Sequence, residues 1–349
     1  MSGGVDSAVA ASRLIDAGCE VIGVFMCLGT AGRADTASRG CCSPTDAADA
    51  RLVADMLGIE LFVLDLSDAF GPLIADFAAE YAAGRTPNPC IHCNTLIKFG
   101  RLLDRADSLG VDCIATGHYA RMIETGSGPA IARAAAGGKD QSYALFGIPR
   151  GALGRILLPV GEIADKQSVR QIAQDLGLIV HDKPDSQEIC FAPDDDYAAI
   201  LESTAPRALT PGDIIDSSGA VLGRHEGYGR FTIGQRRGLR IAAGVPMYVT
   251  KIDPVSAAVT IGPRDEVMSR NLTASRANWH ADVPERFSAT AQIRYNHSGQ
   301  AAEVKLTGDN TFAVEFAEPV SAITPGQAVV LYDGDHMLGG GWIETAKRQ

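Results

Sequence analysis

Through the first half of the chain, short apolar runs alternate with stretches of helical spacing. Residues 8–15 carry Ala8, Val9, Ala10, Ala11, Leu14 and Ile15 on a helical period, directly after a Gly-Gly pair. A continuous apolar run over 20–28 predicts a strand, 45–57 a helix, and 61–64 a second short strand. Helical patterns follow at 69–81 and 91–109, then a third strand at 112–116. This alternation predicts an α/β fold, a doubly wound parallel sheet with ligands at the carboxyl ends of its strands. Gly126, Ser127, Gly128 and Pro129 divide two apolar pairs, Met122-Ile123 and Ile131-Ala132, which predicts a hairpin or flap.

After about Ala205 the helical period fades. Short alternating segments at 213–216, 247–253 and 258–261 are separated by Gly, Pro and Asp pairs. From about Asn271 the strand signals multiply, at 289–295, 302–306, 311–316, 328–332 and 337–343. Regular short strands with turn residues between them predict a small antiparallel β-barrel. The expected organisation is a catalytic α/β domain over 1–200, a small linking domain over 205–268 and a C-terminal barrel over 269–349. No internal repeat or low-complexity segment interrupts it.

Composition narrows the class. At 349 residues, 46% hydrophobic and 21% charged, the chain has the balance of a soluble globular protein. It contains no apolar run long enough to span a bilayer and no charged-then-apolar leader, so no membrane partner and a cytoplasmic location are expected. The eight cysteines therefore read as thiols or ligands rather than as a disulfide framework. A net charge of −11 argues against indiscriminate nucleic-acid binding, while leaving room for an RNA held on a local basic surface. Such a surface is available: Arg224, Arg230, Arg236, Arg237 and Arg240 cluster with Glu226 as the only acid among them.

Three stretches carry candidate chemistry. In Ser2-Gly3-Gly4-Val5-Asp6-Ser7, two glycines allow a tight turn whose N–H groups converge at a helix start, an anion site. No Gly-Lys-Ser/Thr follows, so the loop is not the Walker type. Its SGG-x-DS pattern is similar to the loop of the PP-loop ATP pyrophosphatases, which holds the departing pyrophosphate. Such a loop normally follows a buried strand, so the natural chain is expected to extend further at this end. In Pro87-Asn88-Pro89-Cys90-Ile91-His92-Cys93-Asn94, prolines impose an extended approach and Cys93 opens a helical run, whose dipole lowers a thiol's pKa. Alone, this Cys-x-x-Cys fits half a zinc site, a redox pair or a catalytic thiol. In Asp185-Ser186-Gln187-Glu188-Ile189-Cys190-Phe191 a third thiol lies among polar residues, in an expected loop. The vicinal pair Cys41-Cys42 has no assigned role.

Together with 115–121 (ATGHYAR), 138–143 (GKDQSY) and 231–239 (FTIGQRRGL), these stretches stand in one order along nearly the whole chain. In that order the chain resembles the tRNA-specific 2-thiouridylases, which replace the C2 oxygen of the wobble uridine by sulfur. The resemblance implies that Ser2, Gly3, Gly4, Val5, Asp6 and Ser7 bind ATP phosphates, with Met26 and Gly117 at the adenine and Mg²⁺ on the phosphates. It implies Cys93 as nucleophile, Cys190 as persulfide carrier, and a redox disulfide between them. Asn88, Pro89 and Cys90 would line the target base, and His118, Lys139, Asp140, Gln141, Arg294, Tyr295 and Gln327 would contact tRNA. A persulfide-donating sulfur carrier is the implied second partner. Cys90 departs from the acidic residue common at its position; with Cys93 and Cys190 it makes a three-thiol set that could instead hold a [4Fe–4S] cluster. The enzymatic rival is another adenylating PP-loop synthetase, which needs no cysteine pair.

Overall fold

The computed structural model describes residues 1–27, 43–185 and 197–348. The chain forms two compact units, the first built from Met1–Leu73, Cys90–Asp195 and Asp335–Met337, the second from Ile74–Pro89, Asp196–Gly334 and Leu338–Gln349.

In the first unit, α1 (Val5–Asp16) starts directly after Gly4, and Val5 and Ala8–Ser12 are buried on it. Strand β1 (Gly23–Cys27) pairs in parallel with β2 (Leu61–Asp65), in the register Gly23↔Leu61 to Cys27↔Asp65. Between them lies α2 (Pro44–Leu57). Ser43 caps it by accepting from the Asp46 amide at 3.0 Å, Pro44 supplies the first turn, and Gly58 ends it in the left-handed region. Helix α3 (Ser67–Ala82) passes from the first unit into the second.

The helix expected over 91–109 starts earlier and is not uniform. It opens as α4 (Pro89–His92), widens into a π-helix over Cys93–Arg101, and returns to α geometry as α5 (Leu102–Leu109). Pro89 accounts for the earlier start, because its fixed φ suits the first helical position. The strand expected at 112–116 shrinks to β3 (Ile114–Ala115). The expected hairpin is present as β4 (Ala120–Thr125) and β5 (Gly128–Arg133), paired antiparallel throughout. Strand β6 (Ile156–Leu157) runs parallel to β3, and α6 (Lys166–Asp175) follows, capped by Asp165 on the Ser168 amide at 2.7 Å. Parallel strand pairs flanked by helices bear out the α/β expectation. Val5, Ala8, Val9, Val53, Tyr119, Val160, Val169 and Leu178 form one continuous apolar core against which α1 and α6 pack.

The second unit holds α7 (Ala198–Thr204) and a four-stranded sheet. Its strands β7 (Gly212–Ile215), β8 (Val221–His225), β9 (Tyr248–Asp253) and β10 (Ala258–Gly262) lie in the order β8-β7-β10-β9, with β7 and β10 parallel. The barrel expected after Asn271 is present and closed. It comprises β11 (Met268–Trp279), β12 (Arg286–Gln292), β13 (Gln300–Gly308), β14 (Thr311–Ser321), β15 (Ala328–Asp333) and β16 (His336–Arg348). They run in the order β11-β14-β13-β12-β15-β16, and pairing of β11 with β16 closes the ring. Leu272, Val304, Phe312, Phe316, Leu331 and Ile343 fill it.

One strand expectation is corrected here. The run over 289–295 does not stay extended: β12 ends at Gln292, whose side-chain amide donates to the carbonyls of Arg294 (3.2 Å) and Tyr295 (3.0 Å) and curls the chain.

Candidate functional site

The loop over residues 2–7 is a closed knot of short bonds. Ser2 N–H donates to Ser7 Oγ at 3.1 Å, the two hydroxyls stand 3.2 Å apart, and Ser7 Oγ donates to the Gly4 carbonyl at 3.0 Å. Two neighbours brace it. Lys183 Nζ donates to the Gly3 carbonyl (2.8 Å), Asp46 (2.7 Å) and Asp49 (2.5 Å), tying the loop to α2. Burial alone would lower the Lys183 pKa, but these two carboxylates outweigh it and raise the value. Gly117 lies against the loop's other side. A Cβ there would stand 2.7 Å from the Asp6 carbonyl carbon and 2.8 Å from the Ser7 amide nitrogen, so only glycine fits this approach. Gly117 and the loop are thus brought together; Met26 sits on β1, opposite Leu64 on β2.

Asp6 points into a charged cluster. Its carboxylate accepts from Tyr119 Oη (2.7 Å) and twice from Lys166 Nζ (2.7 and 2.8 Å). Lys166, the first residue of α6 and only 14% exposed, also reaches Asp185 at 3.0 Å, where Lys139 (3.0 Å) and Arg170 (3.2 Å) converge. Burial disfavours charge on Asp185, yet the hydrogen bonds from Lys139 and Lys166 prevail and hold its pKa at about 2. Burial pushes the Tyr119 phenol well above its ordinary value, and Asp6 adds to this, so it remains a donor. Asp185 is the first residue of the Cys190 stretch; Cys190 and the rest of 186–191, like Cys41 and Cys42, lie outside the described residues.

Of the cysteines on the helix, Cys90 is exposed in its first turn and Cys93, three residues on, is half-buried at the start of the π-helical stretch. The thiol nearest the helix start is therefore Cys90, not Cys93. π-Helical turns recur at functional sites. Asn94 is buried and donates to the Ala144 carbonyl at 3.0 Å, anchoring the helix beside the 137–145 segment. The His118 ring lies 6.1 Å from that of Phe99 on the same helix. Enclosure of the ring, and then Lys98, depress its pKa well below 6.5, so it is a neutral imidazole; Nδ1 pairs with Thr116 Oγ1 at 2.8 Å.

The residues implied as tRNA contacts divide into two kinds. Lys139 and Tyr295 are exposed. Asp140 is turned inward, its two oxygens accepting from the Ala134 and Ser142 amides, Ser142 Oγ and Arg133. Gln141 accepts from the Tyr119 amide at 2.9 Å. Arg294 donates to the Ser321 carbonyl, and Gln327 to the carbonyls of Thr86 (3.0 Å) and Pro87 (3.1 Å). Arg230, Arg236, Arg237 and Arg240 are described by the same structure as a run of mostly exposed cations, and Arg224 pairs loosely with Asp213 at 3.4 Å.

Sequence reasoning missed Lys166, Lys183 and the acidic partners Asp46 and Asp49. The one local signal was Lys183-Pro184-Asp185, a charged pair immediately before the third cysteine. No described helix is long and apolar enough to cross a membrane.

Comparison with known proteins covers nearly the whole chain. Residues 1–194 match the family described as tRNA methyl transferase HUP domain, 199–263 its PRC-barrel domain, and 269–343 the aminomethyltransferase beta-barrel domain. The tRNA-specific 2-thiouridylase MnmA of Carboxydothermus hydrogenoformans is 47% identical, over 99% of this chain and 96% of that protein. Proteins of the same name from Acidothermus cellulolyticus (46%, covering 100% and 97%) and Lachnoclostridium phytofermentans (44%, 98% of each) match as fully. Matched by these relatives over 98–100% of its length, the chain belongs to the tRNA-specific 2-thiouridylase family.

Proposed function

We propose that the protein is a tRNA-uridine 2-sulfurtransferase of the cytoplasm, using ATP to replace O2 of the wobble uridine by sulfur. The observation that carries this reading is the pairing, within one unit, of a braced anion loop with a helix bearing Cys90 and Cys93. The matched family description speaks of methyl transfer, but paired cysteines suit sulfur chemistry, as the relatives' names do. In this reading 1–200 is the catalytic domain, 205–268 a small tRNA-contacting domain and 269–349 the barrel.

The chemistry follows from the substrate. C2 of uridine is a urea-like carbonyl, a poor electrophile whose oxygen leaves badly. Attack of that oxygen on the α-phosphate of ATP turns it into an AMP leaving group, and pyrophosphate departs into the loop of Ser2, Gly3, Gly4, Val5, Asp6 and Ser7, with Met26 and Gly117 at the adenine. Mg²⁺, when bound, spreads the charge of the pyrophosphate. Both Asp6 oxygens are engaged by Lys166 and Tyr119, so the residues present fit an ion carried on the nucleotide rather than one held by the loop.

The sulfur arrives from a persulfide-donating carrier and resides as a persulfide on Cys190. Its terminal sulfur attacks C2 and expels AMP; Cys93 then attacks the Cys190 sulfur, leaving thiocarbonyl on the base and a Cys93–Cys190 disulfide for external reduction. Asn88, Pro89 and Cys90 line the unstacked base. His118, Lys139, Arg294 and Tyr295 contact the tRNA, with Asp140 and Gln141 shaping the segment that carries Lys139 and Gln327 holding the carbonyls of Thr86 and Pro87.

Among the described residues no group of three His, Cys, Asp or Glu side chains could hold a metal ion. A [4Fe–4S] cluster on Cys90, Cys93 and Cys190 is the competing reading. Its basis is the placement of the first two thiols one turn apart, and an iron-dependent absorption band after anaerobic purification would favour it.

The test is a single-turnover reaction with ATP, Mg²⁺, a persulfide donor and tRNA carrying U or C at the wobble position. The reading requires 2-thiouridine in the U tRNA only, AMP formed with it, and loss of thiolation in Cys93→Ser and Cys190→Ser. AMP release with both serine variants fully active would transfer the protein to the amide- or guanidine-forming synthetases.

A further inference from the structure

The segment entering the cysteine helix is held by a dense set of directed bonds, all within the second unit. Arg85 donates through Nε to Glu80 and through Nη1 to Glu344, both at 2.7 Å, and is largely buried. The bond from Arg85 holds Glu344 below the usual carboxylate range although burial opposes it, and Ser275 Oγ donates to its other oxygen. One residue on, the Thr86 amide donates to the Pro325 carbonyl at 2.9 Å. Gln327 uses its side-chain amide on two successive carbonyls, those of Thr86 and Pro87. Gly326 makes this approach possible. Its φ is +90°, and a Cβ would stand 2.9 Å from the Thr86 carbonyl oxygen and 3.0 Å from both the Thr86 nitrogen and Glu80 Oε2. Gly326 and Gln327 are themselves paired to Ile343 on β16, the residue beside Glu344.

Three consecutive residues, Arg85, Thr86 and Pro87, are thus pinned to the barrel. Pro87 and Pro89 then fix φ on either side of Asn88. An ordinary surface connection needs none of this: a largely buried guanidinium on two carboxylates, a left-handed glycine, and a side-chain amide committed to backbone.

We propose that Arg85, Gly326, Gln327 and Glu344 form a clamp through which the barrel sets the presentation of Asn88 and Pro89. They are positioning residues for the thiolation step. The inference rests on reading Asn88, Pro89 and Cys90 as the target-base segment. It gives the barrel a part in the rate of the reaction, beyond any part in tRNA affinity.

Arg85→Met and Glu344→Gln test it, because neither residue is assigned to tRNA or ATP. Three quantities are measured: the single-turnover thiolation rate at saturating tRNA, tRNA affinity, and hydrogen exchange of the Thr86 amide. Misplacing a reacting group by about an ångström costs on the order of a hundredfold. Arg85→Met is therefore expected to lower the rate at least about tenfold, with affinity within about threefold. Exchange at Thr86 should accelerate about tenfold as local opening becomes easier, and Arg85→Lys should recover part of both effects. Unchanged exchange, or a rate loss wholly accounted for by weaker tRNA binding, would overturn the clamp. If Arg85→Met does not fold, Glu344→Gln carries the same test in milder form. A wild-type protein that makes no 2-thiouridine would refute the proposed function instead, and the exchange data would still decide whether the clamp exists.

Discussion

Replacing Asp185 by Asn gives the sharpest test of the charged cluster beside the loop. Three cations, Lys139, Lys166 and Arg170, share this carboxylate. Held at about 2 against an ordinary 3.8, it contributes at most about 2.5 kcal/mol of stability near neutral pH. Lys139 is half exposed, so solvent screening brings the figure down to roughly 1 kcal/mol. The sign follows from the depressed value. As pH falls below about 4 the unfolded chain takes up the proton first, so the contribution is complete above that pH and disappears as pH approaches about 2. Wild type should therefore exceed Asp185→Asn by roughly 1 kcal/mol at about pH 6, or about 2–4 °C in melting temperature. By about pH 3 the gap should shrink to about half. Urea unfolding of both proteins at these two pH values, at one ionic strength, measures this. A gap of the same size at both would refute the reasoning, because an uncharged packing role does not titrate.

Two further outcomes are expected. Gly117→Ala places a methyl group 2.7–2.9 Å from the backbone of Asp6 and Ser7 and the Asp6 side chain. The loop must shift, at an overpacking cost of about 1–3 kcal/mol, so the KM for ATP should rise about tenfold or more while tRNA affinity holds; an unchanged KM would detach Gly117 from the nucleotide site. Arg236→Ala with Arg237→Ala removes two cations from the arginine-rich stretch. The dependence of log K for tRNA on log salt should flatten by about one for each phosphate no longer neutralised, and an identical slope would return this stretch to the status of a solvated face.

The features legible in the sequence were those with a local signature. The 61–64 run became β2, the Gly-rich gap at 126–129 became the β4–β5 hairpin, and the short strands after Asn271 became the closed barrel, because period and turn chemistry are written within a few residues. Helix α6 was also legible and was passed over: Asp165 is an N-cap, and Val169 and Ala173 are spaced on one buried face. The π-helix was not legible, since nothing in Cys93–Arg101 separates an i→i+5 pattern from i→i+4. Nor was the cluster around Asp6. Lys166 lies 160 residues away, and such a pairing is fixed by the packing of α6 beside α1. Gln327 shows the same limit: the resemblance implied a tRNA contact for it, and only the fold shows its amide held on Thr86 and Pro87.

The wide winding of Cys93–Arg101 changes the arithmetic of neighbours on that helix. In an α-helix the residue one turn along from Cys93 is Ile97, which is fully buried. The wider π winding swings the next residue, Lys98, a half-buried cation whose charge is already felt at His118, from the far side of the helix toward the side of Cys93. That places the thiol in a more cationic neighbourhood than α geometry would give it. The local helix type, rather than the identity of any single residue, decides how near that cation comes.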